Sequence, residues 1–275
     1  MKMIDLHCHL LPGIDDGAPD LETSLEMARI AFADGIRTLA CTPHIYPGVY
    51  ENTGDGIRQA VAALQKALDE AEIALKLVVG ADIHVDPDLL LKLRGGEAPT
   101  LGGTRYFLLE PPHHVALPRI ADFVFNLVAA GYTPLITHPE RLTWIKDHYP
   151  TICGLVDQGA WLQVTSGSLT GRFGPQAKYW GERLLGEGRV HILATDAHGT
   201  RRRPPLLAEG QLAAERLVGK EEAWHLVNTR PIGILDNLAP SAMPALPNAS
   251  AKWRADGSAR RQGLLARLFG GNKPR

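Results

Sequence analysis

The stretch MIDLHCHLLPGIDDG, residues 3–17, decides the fold. Residues 3–9 make a short strand-like run ending in two histidines spaced two apart. In a strand such residues project from one face, so His7 and His9 point together while Cys8 faces the other way. The Asp15-Asp16-Gly17 that follows is turn chemistry. Asp16 reads as a candidate ligand because the turn directly follows the histidine strand, and Asp15 as a turn or supporting residue.

Working outward, six further β-branched or apolar runs resemble the first: 38–44, 76–84, 106–111, 133–138, 161–166 and 190–196. Amphipathic helical patterns separate them, at Leu21–Asp34, 55–73, 117–130 and 176–186, with Leu25, Ala28, Ile30 and Phe32 as the expected buried stripe of the first. Gly35, Gly131, Gly159 and Gly188 each close a helical pattern before a strand begins. Strands alternating with helices predict an α/β fold with a parallel sheet, and seven of them over residues 1–237 predict a barrel. After Asn237 the composition changes to APSAMPALPNAS, rich in Pro, Ala and Ser, which reads as a linker. Two segments are therefore expected, a barrel at 1–237 and a linker with a basic tail at 238–275.

The bulk numbers bound the function. The chain has 275 residues, 45% hydrophobic and 21% charged, enough for one well-filled core. A net charge of −1 gives no electrostatic case for nucleic-acid binding. Residues 249–275 carry seven Lys/Arg against one Asp, so this tail is net +6 and the remainder net −7. Arg260, Arg261 and Arg267 with Leu264, Leu265, Leu268 and Phe269 fit weak contact with an anionic membrane or a partner. They fit a solvated tail equally well. Cys8, Cys41 and Cys153 form no CxxC pair, and no signal peptide or run of ~18–20 apolar residues occurs, so a cytoplasmic setting is expected.

The chemistry lies at the strand ends. His7 and His9, His44, Asp82 and His84, Glu110, His138, and Asp196 with His198 all fall at or just past the end of an expected strand. In a parallel barrel these ends share one face and build the active site, so the side chains should converge. Imidazole with carboxylate and no thiolate suits Mn²⁺, Fe²⁺ or Zn²⁺. A thiol-based phosphatase needs Cys with Arg six positions on, and the residues there are Ile14, Pro47 and Gly159, which excludes it. His113 and His114 follow Glu110 closely and read as ordinary histidines or rim residues.

MIDLHCHLLPGIDDG, ACTPHIYPGVYEN (40–52), GADIHV (80–85), LLEPP (108–112), ITHPER (136–141), QVTSGSLTGRFG (163–174) and LATDAH (193–198) together resemble one branch of the PHP (polymerase and histidinol phosphatase) superfamily. That branch is the bacterial manganese-dependent protein-tyrosine phosphatases of capsular and exopolysaccharide gene clusters. The resemblance implies a distorted (β/α)7 barrel holding three divalent metals. It implies His7, His9 and Asp196 on the first metal, Asp82 bridging to a second completed by Glu110 and His138, and Asp16, His44 and His198 on the third. It further implies that Arg141 and one of Arg201, Arg202 or Arg203 bind phosphate, and that the partner is a phosphotyrosine protein, a tyrosine autokinase. The chain departs from the family pattern at Asp82, where Glu is usual; His84 on the same strand face is either a compensating ligand or a rim histidine. A small phosphomonoester substrate, such as histidinol phosphate, or a metal-binding regulatory role without activity are the competing readings.

Overall fold

The computed structural model describes residues 2–249; the expected membrane or partner contact of residues 260–269 lies outside these residues. The chain runs β1 (Met3–Cys8), α1 (Leu21–Asp34), β2 (Ile36–Cys41), β3 (His44–Ile45), α2 (Gly54–Glu70), β4 (Lys76–Val79), β5 (Asp82–His84) and α3 (Leu89–Gly95). It continues through β6 (Tyr106–Glu110), α4 (Ile120–Ala129), β7 (Thr133–Thr137), α5 (Ile145–Asp157), β8 (Trp161–Thr165), α6 (Ser166–Leu169), α7 (Gly174–Gly186) and β9 (Ile192–Ala194). The last helices are α8 (Ala208–Val218), α9 (Lys220–Trp224) and α10 (Arg230–Leu235).

All strand pairs are parallel, in a β1-β2-β4 sheet and a β3-β5-β6-β7-β8-β9 sheet. Two of the seven expected strands are broken, 38–44 into β2 and β3 and 76–84 into β4 and β5. Pro43 lacks the N–H that a continuous ladder would need. The second break lies at Gly80, where a Cβ would stand 2.9 Å from Leu101 and 3.0 Å from Thr42. The halves stay aligned through Gly80 N donating to Cys41 O and Asp82 N to Pro43 O, both 3.1 Å. On the other side β9 runs on towards β1, where Asp196 N donates to His7 O (2.8 Å) and His9 N to Ala197 O (2.9 Å). Counting each broken pair once gives seven strand positions in a ring, the distorted (β/α)7 barrel expected from the motifs.

Helix α1 starts on Asp20, whose carboxylate accepts from Thr23 N (2.8 Å), and ends on Gly35 at φ 104°. Its buried stripe is Ser24, Met27, Ala28 and Ala31, not Leu25, Ala28, Ile30 and Phe32. The face is rotated because Ser24 is buried as a polar anchor, its hydroxyl donating to Leu10 O at 2.7 Å. Helix α5 has no counterpart among the expected helices. Pro150 inside it and a non-helical His148 interrupt the 3.6-residue pattern.

Inside the barrel Ile4, Leu6, Tyr106, Leu108, Leu135, Trp161 and Ile192 form an apolar floor, joined by Ile234 and Met243. Side chains two positions further along the same faces reach the mouth, as Glu110 does after Leu108 and Gln163 after Trp161. On β1 the pairing advances from Asp5 to Cys8 while β2 advances only from Leu39 to Cys41. This bulge shifts the alternation, so that Leu6 packs in the floor while His7 belongs to the mouth. The chain beyond Asn237 lies against the floor: Tyr106 Oη donates to Leu238 O (2.7 Å), and Arg230 donates to Pro244 O and Ala245 O (both 3.1 Å). Buried Arg230 is itself held by Glu222 at 2.7 and 3.0 Å.

Candidate metal centre at the barrel mouth

The two strand breaks shape the site. β3 begins with His44 and β5 with Asp82, and these two residues are partners in the ladder. Glu110 ends β6, His138 follows β7, and Asp196 and His198 follow β9. Four non-glycine residues among those described have positive φ, and His138 (35°) and Asp196 (50°) are two of them. Left-handed backbone at such residues costs on the order of 1–3 kcal/mol and persists where surrounding structure enforces it, often at functional sites.

All nine residues expected as ligands converge. His7 Nε2 lies 3.2 Å from Asp196 Oδ1, 3.3 Å from Asp82 Oδ2 and 3.2 Å from His9 Nε2. His44 Nε2 and His198 Nε2 each lie 3.4 Å from Asp16 Oδ1. His44 Nδ1 approaches Glu110 (3.3 Å), and His138 Nε2 approaches the same carboxylate (3.5 Å). Groups whose ligand atoms all lie within 4.8 Å of one another are His9–Asp16–His44–His198, His7–His9–Asp82, His7–His138–Asp196, His44–Asp82–Glu110 and Glu110–His113–His138. His113, read from the sequence as ordinary or rim, thus stands beside Glu110 and His138. His84 stays out of these groups and stacks flat on Tyr46, ring centroids 3.8 Å apart.

Whether a metal fits can be judged from atoms left without partners. Asp82 is fully buried, and its oxygens accept no well-formed hydrogen bond, only the nearby imidazoles of His7 and His44 facing Oδ2 at 3.3 and 3.6 Å; His138 Nδ1 has no hydrogen-bond partner. Buried carboxylate oxygens left this way are costly unless something else meets them. The donor set of imidazoles and carboxylates is one that a divalent transition ion satisfies. The residues fit the group.

The electrostatics of the bare side chains agree. Burial alone would lower His7, but Asp196 and Asp82 outweigh it and raise it to about 9. His44 is likewise penalised by burial yet raised to about 11 by Asp16 and Glu110. Asp196 is buried, which opposes its charge, but Arg203, His7 and Arg141 hold it well below the usual carboxylate range. His138 goes the other way, driven well down by burial and then by Arg141.

A layer of residues behind the cluster aims the imidazoles. His9 Nδ1 donates to Asp15 Oδ2 (2.8 Å) and His7 Nδ1 to Gln163 Oε1 (3.0 Å), leaving each Nε2 to face the cluster. Asp15 thus supports His9 and also closes the turn, its Oδ1 accepting from Gly17 N (2.9 Å). Gln163 stands inside the quoted QVTSGSL string, with no role assigned from sequence. Asp5, raised by burial to about 6, accepts from Thr195 Oγ1 (2.5 Å) and Thr195 N (3.0 Å) across the β1–β9 junction. Buried Glu140 of the HPER string accepts from Thr165 N (3.0 Å) and Ser168 Oγ (2.7 Å), tying Arg141's turn to β8 and α6. Asp5 sits on the histidine strand, and Gln163 and Glu140 stand inside the QVTSGSL and HPER strings, which mark their segments but not their contacts.

Two arginines reach the mouth. Arg141 pairs with Asp196, and Arg203 pairs with the same carboxylate oxygen at 2.5 Å. Both guanidinium groups lie over Phe173, at 4.5 and 5.7 Å from its centroid. Arg201 and Arg202, for which a phosphate role was open, are exposed and border a cavity of about 500 Å³ beside Asp16 and His198. Within the loop 199–203, Arg203 is the one folded back onto the cluster.

Fold and site together define the class: an α/β-barrel hydrolase with an imidazole–carboxylate centre suited to divalent metal and an arginine pair suited to an anion. The chain belongs to the capsular polysaccharide synthesis, CpsB/CapC, family, whose model matches residues 3–236. It is 38% identical over 247 residues to tyrosine-protein phosphatase YwqE of Bacillus subtilis (strain 168), covering 89% of this chain and 96% of that protein. To tyrosine-protein phosphatase CpsB of Streptococcus pneumoniae it is 29% identical over 238 residues, covering 85% and 98%. A crystal structure from the pair YwqE of B. subtilis and CpsB of S. pneumoniae, described as unique metal-dependent tyrosine phosphatases, superposes with a TM-score of 0.84. It shares 36% identity, over 89% of this chain and 99% of that one. Histidinol phosphate phosphatase from Lactococcus lactis shares the fold alone, at a TM-score of 0.53 and 14% identity over 81% of this chain and 94% of that one. Among the described residues no helix is long and apolar enough to cross a membrane.

Proposed function

We infer that this chain is a metal-dependent protein-tyrosine phosphatase, a phosphoric monoester hydrolase that works without a cysteine nucleophile. The observation that carries the reading is the convergence of nine imidazole and carboxylate side chains, fully buried Asp82 among them, at the barrel mouth. Its support from kinship is the 38% identity to YwqE over nearly the whole of both chains. The reading includes three divalent ions, manganese first and iron or zinc as alternatives. His7, His9 and Asp196, then Asp82, Glu110 and His138, then Asp16, His44 and His198 are the proposed holders. When bound, such ions supply a water of lowered pKa and positive charge for the phosphoryl oxygens.

The chain's own residues do the rest. Gln163 and Asp15 hold His7 and His9 in the tautomer that directs Nε2 into the site. Arg141 and Arg203 share one Asp196 oxygen and present their remaining N–H groups to an arriving phosphate, which charge-assisted bonds would orient. A tyrosyl leaving group, with an ordinary pKa near ~10, departs without a dedicated general acid. The partner we propose is a phosphotyrosine protein, a tyrosine autokinase, met in the cytoplasm. The proposed division of the chain is a catalytic barrel at 1–237 and an appended segment at 238–275.

The test is phosphate release from a phosphotyrosyl peptide and from histidinol phosphate by metal-stripped protein refilled with Mn²⁺. Turnover of the peptide well above histidinol phosphate is expected. The reverse preference would move the function to small phosphomonoesters, and turnover of neither would leave a regulatory role.

A further inference from the structure

We propose that the cavity between the loops 45–53 and 111–116 is the seat of the substrate's aryl ring, and that it selects aromatic over alkyl phosphate esters. The proposal rests on the phosphatase reading above and names the subsite by which that activity would choose tyrosine. The cavity, about 390 Å³, falls in the usual range for small-molecule sites. Its floor is His44 and Glu110, two members of the candidate metal cluster, so anything seated in it touches the place where phosphate would react.

Its walls are aromatic and apolar. Tyr46 stacks on His84 with an interplanar angle of 2°, and Tyr50 stacks on His44 at 15°. Tyr46, Val49 and Val115 are 37%, 57% and 61% exposed, three of the ten large hydrophobic side chains left exposed among the described residues. All three border this one cavity. Isolated exposed hydrophobics need no explanation, but a set gathered around a reactive centre marks a binding surface.

Both walls are fixed by hydrogen bonds. Asn52 Nδ2 donates to Ile14 O (3.0 Å) and His44 O (2.9 Å), and Tyr46 and Tyr50 exchange backbone bonds of 3.0 and 2.8 Å. On the other side Thr143 N donates to His113 O (3.1 Å), and Trp144 Nε1 to Pro112 O (2.9 Å). A slot already held open loses little entropy when a flat ring enters it, and offset or edge contacts with the wall rings add to the burial. His113 borders both this cavity and the one lined by Arg141 and Phe173, so an ester whose phosphate meets Arg141 can direct its ring into the slot. The cavity beside Asp16 and His198 is lined by Arg201, Arg202 and Arg203 and offers no such apolar wall.

The test separates ring recognition from chemistry. Phenylphosphonate and methylphosphonate, neither of which can be hydrolysed at its P–C bond, are compared as competitive inhibitors of the Mn²⁺-loaded full chain. The wild type should bind the phenyl compound roughly tenfold more tightly. Val115→Ala, at an exposed rim position, and Tyr46→Leu should each shrink that ratio severalfold, while the methylphosphonate constant stays within about twofold. Equal inhibition by the two compounds in the wild type, or a ratio that neither substitution changes, would overturn the slot. A wild type that turns over phosphotyrosyl peptide yet treats the two phosphonates alike loses the slot and keeps the phosphatase reading. Failure to turn over the peptide would strike that reading itself.

Discussion

The mouth and the floor of this barrel are built from the same strands and obey opposite rules. At the floor, Leu108, Leu135, Trp161 and Ile192 bury apolar surface, and Arg230, buried beneath, spends its donors on Glu222 and on the carbonyls of Pro244 and Ala245. At the mouth, a few ångströms along the same strands, the buried oxygens of Asp82 accept no well-formed hydrogen bond and meet only the imidazoles of His7 (3.3 Å) and His44 (3.6 Å), His138 Nδ1 has no hydrogen-bond partner, and two residues hold left-handed backbone. The floor is what folding free energy alone would select. The mouth makes sense only if another group completes it. Stability and function are therefore separated along the barrel axis, as expected for this architecture.

Substitutions at the two ends should accordingly fail in different ways, and the largest effect belongs to the mouth. His7→Ala should lower turnover of a phosphotyrosyl peptide by at least ~10²-fold while circular dichroism shows the fold retained. A variant that unfolds instead would mean that the mouth also carries stability. Next comes Leu135→Ala at the floor, a fully buried position, which should destabilise by about 2–5 kcal/mol. Each kcal/mol lowers the melting temperature by roughly 2–4 °C in a chain of this size, and turnover per folded molecule should stay unchanged. Loss of specific activity without loss of stability would break the separation.

The arginine loop gives a finer contrast within the mouth. Arg203→Ala should weaken inhibition by inorganic phosphate roughly tenfold, as expected for loss of a charge-assisted contact. Arg201→Ala, in an exposed side chain, should change it by less than about twofold. Equal effects would place the anion beside Asp16 instead of beside Asp196.

A last contrast concerns pH at the floor. His191 is buried, and burial, then Arg230, lowers it to about 3; its Nδ1 accepts from Leu162 N (3.1 Å), which requires the neutral ring. As pH falls below the ordinary ~6.5, the unfolded chain binds this proton and the folded chain does not, so stability declines until pH nears 3. His191→Gln should flatten the part of the decline in denaturation midpoint between pH 7 and 4.5 that this residue supplies. An unchanged slope would show that His191 titrates normally in the fold.

Much of the mouth was legible in the sequence for a simple reason. A strand end in a parallel barrel has only one place to go, so His7, His9, His44, Asp82, Glu110, His138, Asp196 and His198 converge once the strands are recognised. Three things were not legible. Runs such as 38–44 and 76–84 look continuous because apolar composition does not record a change of sheet, and Pro43 and Gly80 were weak clues to the breaks. Gln163 and Asp5 look like the polar half of ordinary strand alternation, so only contacts reveal that one orients His7 and the other joins β1 to the chain after β9. Three consecutive arginines in a loop have no periodicity, and Arg203 is distinguished from Arg201 and Arg202 only by the fold-back that pairs it with Asp196.

The most direct test of the mouth as a metal centre for phosphotyrosine is turnover of one phosphotyrosyl peptide, followed while Mn²⁺ is added back to chelator-stripped wild-type protein and to Asp196→Asn. The wild type should be inactive when stripped and regain turnover as metal binds, with bound metal measured in the same samples, and Asp196→Asn should remain inactive throughout. Undiminished turnover by fully stripped protein, or normal metal-restored turnover by Asp196→Asn, would contradict the central claim.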